Sequence, residues 1–440
     1  MLISPSPIKA PGIQSILVIH QGALGDFILA LPALESLRQA FPHAKSVIMG
    51  YPRILELVEK RFYAEEVLSV DQKGMASFFV REGTLDFPLS QYFETFDLII
   101  VFGKEGEGTV IGNLRRVCQG RILHINSFPP WDEKVHLTDH LLKQFAQYGF
   151  PASGSIPKLH LKESDREWAG NFWEGKGVTP EERSKVVILH PGSGSKKKVW
   201  PLDRFLNLAH TLQDRLGSRI LIVLGPAEGP EVQKAFEGIG PPAPILARGL
   251  TLLQLASVME GCWFFVGNDS GISHMAAALG LPTVVIFGPT DQRVWSPRGE
   301  KTVVVSRDVY CSPCPQERLF QCKDLECLRG IEIGEVLGGL GKIGIPFKSW
   351  KRRNKMEEKK VGEIIKYFGK INVAAIRLSE GSLKVGDTIH MVGHTTDVTQ
   401  TIDSMQIENK NVQEAGPGAD IGIKVKDRVR EHDIVYKVVE

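Results

Sequence analysis

Trp263-Phe264-Phe265-Val266-Gly267-Asn268-Asp269-Ser270-Gly271-Ile272-Ser273-His274-Met275-Ala276-Ala277-Ala278-Leu279-Gly280-Leu281-Pro282-Thr283-Val284-Val285-Ile286-Phe287 reads as strand, polar turn, helix and strand. Two short apolar runs around a helix make a parallel βαβ unit. Open sheets of this kind bind ligands beyond the carboxyl ends of their strands, so the turn at Asp269 is a candidate site. Ser270 and Gly271 open the helix, where unpaired N–H groups and the positive dipole end suit a phosphate. Plain helix capping by Asp269 and Ser270 is the competing reading, and the turn alone does not decide between them.

A second such turn lies near the amino terminus, where Ile16-Leu17-Val18-Ile19-His20 runs into Gln21-Gly22-Ala23-Leu24-Gly25-Asp26 and an apolar helix over residues 27–40. A carboxylate in the first turn complements the helix dipole, and one held rigidly at a crevice rim can also serve as a general base. The spacing is not the Gly-x-Gly-x-x-Gly of a dinucleotide fold. A third loop, His190-Pro191-Gly192-Ser193-Gly194-Ser195-Lys196-Lys197-Lys198-Val199-Trp200-Pro201, comes after the apolar run 186–189. Its small residues admit a ligand close to the backbone and its lysines come next, though a lysine run also reads as a solvated surface. No Gly-x-x-x-x-Gly-Lys-Ser/Thr phosphate loop can be fitted to it.

Around these turns the chain alternates. Strands are predicted at 46–49, 66–70, 97–102 and 121–124, then, after a Pro-, Gly- and Ser-rich connection at 149–157, at 186–189, 220–224, 263–266 and 283–287, with helices between. This pattern makes two doubly wound domains in tandem, 1–150 and 151–348, and ligands are expected in the cleft between them with Asp26 facing Asp269. The 440 residues, 42% hydrophobic, supply cores of that size, and a net charge of +2 does not advertise nucleic-acid binding. No run reaches the roughly 20 apolar residues of a membrane span, and Met1-Leu2-Ile3-Ser4-Pro5-Ser6-Pro7-Ile8 lacks a basic region followed by an apolar core, so a cytoplasmic address is expected.

From Ser349 the character changes. Residues 351–360 hold six basic and two acidic residues and read as a charged linker, 349–360, whose charge suits an anionic membrane surface as well as water. Beyond it, alternating runs at 361–367, 372–377, 388–392, 397–407, 420–425 and 433–438, punctuated by Gly381, Gly386, Gly393 and Gly416-Pro417-Gly418, predict a small all-β barrel over 361–440. Gly362-Glu363-Ile364, Leu383-Lys384-Val385-Gly386-Asp387-Thr388-Ile389 and Ala415-Gly416-Pro417-Gly418 make this barrel resemble the second domain of translation elongation factors. That opens a rival reading, a binding protein directed at RNA or the ribosome. The barrel's ten Lys or Arg against twelve Asp or Glu argue against it, because an RNA footprint is basic. A nucleotide-sugar epimerase or dehydrogenase fails on the missing glycine fingerprint.

Gly25-Asp26 with Pro32, His190-Pro191-Gly192, Lys198-Val199-Trp200-Pro201, Gly225-Pro226-Ala227-Glu228 and Asp269-Ser270-Gly271 with His274 stand in the order of one family. Over residues 15–345 the chain resembles glycosyltransferase family 9, the lipopolysaccharide heptosyltransferases. The resemblance implies an α/β fold of two facing Rossmann-like domains (GT-B type) and inverting transfer of a sugar, ADP-heptose being the typical donor, to a lipid-linked saccharide of the lipopolysaccharide core. No cofactor or catalytic metal is implied, and the lipid-linked acceptor implies peripheral contact with the inner membrane. It implies Asp26 as general base and Lys198 as the cation that meets the departing diphosphate. Ser193 and Gly194 would run beside the phosphates, Glu228 would contact the ribose, Asp269 would hold sugar hydroxyls, and Ser270 and Gly271 would offer backbone donors. His274, at helical spacing from Ser270, suits either the ligand or a packed position beneath the loop. Cys311, Cys314, Cys322 and Cys327 are spaced two, seven and four residues apart, which leaves a structural zinc and free or paired thiols both open.

Overall fold

The computed structural model describes residues 12–104, 108–150, 152–345, 357–369, 371–393, 396–408, 410–427 and 429–439. The chain forms two compact units, Met1–Lys348 and Ser349–Glu440. Most of the basic run, residues 351–356, lies outside the described residues. Among the described residues no helix is long and apolar enough to cross a membrane.

In the first unit, β1 (Ser15–Ile19), β2 (Lys45–Gly50), β3 (Glu66–Ser69), β4 (Leu98–Gly103) and β5 (Arg121–Asn126) form a parallel sheet in the order β3-β2-β1-β4-β5. A second parallel sheet holds β6 (Val187–His190), β7 (Ile220–Leu224), β8 (Ile245–Arg248), β9 (Phe264–Asn268), β10 (Thr283–Phe287) and β11 (Thr302–Ser306), in the order β11-β10-β9-β6-β7-β8. The central strands are apolar on both faces because helices cover both: Leu17, Val18, Ile19, Phe264, Phe265 and Val266 are all fully buried. Chain order reverses between β1 and β4 in one sheet and between β6 and β9 in the other, so each sheet opens a crevice there.

Four helices frame the strand-end turns and the seam between the two sheets: α1 (Leu24–Ala40), α2 (Leu202–Leu216), α3 (Leu252–Met259) and α4 (Gly271–Ala278). In α2, Phe205, Leu208, Ala209 and Leu212 recur at helical spacing and are buried, and Gly217 ends the helix at φ +59°. Pro201 sits at its N-cap, where the absence of a backbone N–H costs the helix no hydrogen bond. β8 and β11 go beyond the strands read from sequence. β8 is four residues long behind the run Gly240-Pro241-Pro242-Ala243-Pro244, and β11 is a half-buried edge.

An apolar cluster runs from α1 and the first sheet to α4 and the second, joining Phe27, Leu31, Met275 and Ala276. Polar contacts pin the same seam. Arg61 Nη2 donates to both carboxylate oxygens of Asp165 at 2.7 Å, both side chains being buried, and Glu56 Oε1 accepts the N–H groups of Leu252 and Leu253 that open α3.

The second unit is a curled antiparallel sheet. Its main order is β16 (Asp397–Thr401), β15 (Thr388–Val392), β21 (Ile434–Val439), β12 (Glu357–Phe368), β13 (Val373–Leu378), β20 (Asp420–Lys424), β17 (Met405–Ile407) and β18 (Lys410–Val412), and β14 (Leu383–Lys384) pairs with β19 (Glu414–Ala415). Val361, Ile364, Ala374, Ile376, Ile389, Met391, Ile421 and Ile423 fill its interior, alternating along their strands. Two expectations change here. Residues 357–360 are not linker but the start of β12, paired with β21 from Val439 to Tyr436. The run 397–407 is two strands at opposite ends of the sheet, divided at Ile402, whose N–H turns to Asp387 O.

Candidate active site

Strand ends and helix starts place each candidate. After β1, the chain turns through Gln21-Gly22-Ala23 into α1, and Asp26 lies in the first turn with its Oδ2 accepting the Ala23 N–H at 3.1 Å. The capping role is therefore real, and it also fixes the carboxylate. Burial pushes the Asp26 carboxyl above its usual range; the Ala23 N–H and the Lys198 ammonium pull it back, and Asp269 adds to the rise. Asp26 borders three cavities, of about 310, 920 and 300 Å³.

The smallest of these gathers most of the predicted residues: Asp26 from the first half, and Ser193, Gly194, Lys198, Asp269, Ser270, Gly271 and His274 from the second. Lys198 Nζ stands 2.8 Å from Asp269 Oδ2. Its two neighbours in the lysine run do other things, Lys196 facing solvent and Lys197 donating to the Cys322 carbonyl. Ser270 caps α4 by accepting the Ser273 N–H, which leaves the N-terminal end of α4 directed at the cavity. Ser193 Oγ donates to the Asp269 carbonyl at 2.8 Å, tying the loop after β6 to the turn after β9.

Asn268, which the sequence reading left without a role, makes the stronger tie. Wholly buried at the end of β9, its Nδ2 donates to the carbonyls of Pro191 and Gly192 at 2.8 and 3.2 Å, and its Oδ1 accepts the Trp200 N–H at 3.0 Å. One amide thus holds both ends of the loop that carries Ser193 and Lys198. A buried Asn closing an apolar strand is a visible signal, because such a group must find partners.

Glu228 stands apart from this cavity. Its Oε2 accepts the Gly225 N–H at 2.6 Å and its carboxylate lies over Gly192, where an added Cβ would collide with Oε1. His274 does both things its position allowed. It borders the cavity, yet its ring packs beneath Gly25, 3.1 Å from where a Cβ there would sit, and burial lowers its pKa to about 4. Across the same seam a Cβ on Gly271 would meet Leu24 at 2.8 Å, so glycine at both positions lets the starts of α1 and α4 approach.

The metal reading of Cys311, Cys314, Cys322 and Cys327 is not supported by their placement. Among the described residues no group of three His, Cys, Asp or Glu side chains could hold a metal ion. Cys327 belongs to the apolar core beside the second sheet, and Cys314 donates to the Cys311 carbonyl at 3.0 Å. Burial and the neighbouring thiols raise the pKa of Cys314 and push that of Cys327 to about 11. The segment instead braces the site: the Cys314 N–H donates to Pro289 O and Ser312 Oγ to Gly288 O.

Residues 123–323 match the model of glycosyltransferase family 9 (heptosyltransferase), and residues 372–431 that of elongation factor Tu domain 2. Lipooligosaccharide heptosyltransferase 2 of Campylobacter jejuni is 22% identical over 331 residues, spanning 73% of this chain and 97% of that one. Among solved structures, a glycosyltransferase of family 9 from Veillonella parvula superposes with a TM-score of 0.61 at 23% identity, covering 75% of this chain and 97% of that one. The ADP-heptose lipopolysaccharide heptosyltransferase II of Escherichia coli gives 0.58 at 18% identity, covering 75% and 98%. The shared fold is the GT-B arrangement of two facing Rossmann-like domains. The first unit of the chain thus resembles glycosyltransferase family 9 in sequence over residues 123–323 and in fold, and the second resembles elongation factor Tu domain 2 over residues 372–431.

Proposed function

We propose that the protein transfers a heptosyl group from ADP-heptose to a lipid-linked saccharide of the lipopolysaccharide core, with inversion at the anomeric carbon. The observation that carries the reading is the convergence of a raised-pKa carboxylate, Asp26, with Lys198 and the start of α4 on one cavity of about 300 Å³. Asp26 takes the proton of the acceptor hydroxyl as its oxygen attacks the anomeric carbon from the face opposite the diphosphate. The bond to the diphosphate oxygen breaks, its electron pair stays on ADP, and the growing charge meets Lys198 and the backbone N–H groups of α4. These groups supply the positive charge the leaving group needs, so no catalytic metal or cofactor enters the scheme. Asp269, now paired to Lys198, is free to turn to sugar hydroxyls once the diphosphate claims the ammonium. Glu228, at the mouth of the loop after β7, is assigned to the ribose. A lipid-linked acceptor places the protein peripherally at the cytoplasmic face of the inner membrane.

The donor is supported by the name of the E. coli relative of the same fold and the acceptor class by that of the Campylobacter relative. Thermal stabilisation by ADP-, UDP-, GDP- and dTDP-sugars, followed by transfer assays, tests both. ADP-heptose at about 100 times its dissociation constant should stabilise by about 2.7 kcal/mol. Stabilisation by another nucleotide sugar and not by ADP-heptose would overturn the donor assignment.

A further inference from the structure

The largest of the three cavities bordering Asp26, about 920 Å³, is far more than the reacting hydroxyl needs, and apart from Asp26 and Lys198 its lining has no part in the transfer scheme. It shares Asp26 and Lys198 with the smaller cavity and extends away from the α4 start, between the loop after β5 on one side and residues around Trp295 and Phe320 on the other. Four aromatic side chains line it: Phe128 and Trp131 from the first half, Trp295 and Phe320 from the second. Phe128 and Trp295 meet across it with ring centroids 5.7 Å apart. Trp131 and Phe320 are 74% and 72% exposed.

An aromatic side chain left in water forgoes a large burial term, and two of them flanking a cavity beside a catalytic carboxylate mark a surface meant to be covered. Trp131 is also held in place. Pro129 and Pro130 restrict the backbone before it. Lys134 donates to its carbonyl at 3.1 Å, sits 4.9 Å from its ring centroid and reaches Asp291 across the cleft at 3.8 Å. A surface fixed before binding loses less entropy on binding.

We propose that this cavity is an aromatic shelf on which the acceptor's further sugar rings stack, so that the enzyme recognises an extended saccharide beyond the unit that receives the transferred sugar. The proposal rests on the glycosyl-transfer reading of Asp26. A pyranose ring presents a C–H face to an aromatic ring and a rim of hydroxyls to the groups around it. Here the rings are bordered by Lys134, Asp291 and Lys197, which match such a rim. An acyl chain would cover the same rings but take those charged groups out of water while offering them no hydroxyl to hydrogen-bond.

The test measures binding apart from turnover. Deacylated lipopolysaccharide core saccharides of one and of three sugars are titrated by calorimetry into the full chain and into its Trp131→Ala and Phe320→Ala variants. The three-sugar ligand should bind about tenfold more weakly to either variant, and Trp131→Phe should restore most of the loss. The one-sugar ligand and ADP should bind all forms alike. Equal losses for one and three sugars, or loss seen only with acylated acceptors, would overturn the shelf. Failure of ADP-heptose to bind the parent while the length dependence persists would instead remove the transfer reading and leave the saccharide shelf standing.

Discussion

At Asp26 the Ala23 N–H holds the carboxylate in place while burial pushes its pKa above the ordinary value, so the charged form a base requires is the form the fold disfavours. A carboxyl raised on folding contributes stability below its unfolded pKa and loses it as pH climbs through the folded one. Asp26→Asn, which can still accept the Ala23 N–H, should therefore match or exceed the parent's Tm at pH 7, with the difference vanishing near pH 4. Turnover should meanwhile fall about 10²- to 10⁴-fold with ADP affinity retained. Calorimetry and steady-state kinetics on one preparation check both, and activity within a few-fold of the parent would return Asp26 to capping alone. The acid limb of kcat/KM should lie above the usual carboxylate range. Lys198→Met should move it higher still, since that ammonium pulls the pKa down. Within the lysine run only Lys198 faces Asp269, so Lys198→Ala should lower kcat on the order of 10²-fold and Lys196→Ala only a few-fold. Equal damage from both would mean a diffuse electrostatic patch.

Where helices meet, the tolerance is set by two absent side chains. Gly271→Ala would place a methyl 2.8 Å from Leu24, which outweighs alanine's better helix propensity, and should destabilise by about 1–3 kcal/mol in urea unfolding while lowering kcat. A midpoint at or above the parent's would show that α1 and α4 can slide apart at no cost. The turns after β1, β6 and β9 were legible in the sequence because each sets a polar, glycine-bearing turn directly behind an apolar run. β8 was not, since the prolines before it break the pattern that announces a strand. Nor was the division at Ile402, because period-2 alternation persists through a corner where the chain crosses from one end of the sheet to the other. Asn268 could be read as a buried amide but not as the clasp of the lysine loop, since its partners at Pro191 and Trp200 are 77 and 68 residues away. For the four cysteines the sequence left zinc ligands and plain thiols both open, because spacing says nothing of the direction in which a side chain points, and Cys327 lies in the core.

Over the whole molecule, the Met1–Lys348 unit carries every group the transfer scheme uses and closes its own seam through Arg61, Asp165 and Glu56. A chain truncated after residue 347 should stay folded and move sugar to a soluble acceptor at a rate near that of the full chain, the two being assayed side by side. Loss of ADP binding in the shorter chain would make the barrel part of the enzyme, and loss confined to membrane-presented acceptor would make it a docking module. The pairing of Glu357 with Val439 at the start of β12 and the end of β21 has a consequence for how such a barrel travels. Its first and last strands are immediate neighbours, so the polypeptide enters and leaves the barrel at one point. A module with that geometry can be spliced into a surface loop of another protein without stretching its host, or be permuted by joining its two ends and opening a different turn. Appending it to a transferase is one of several insertions its topology permits.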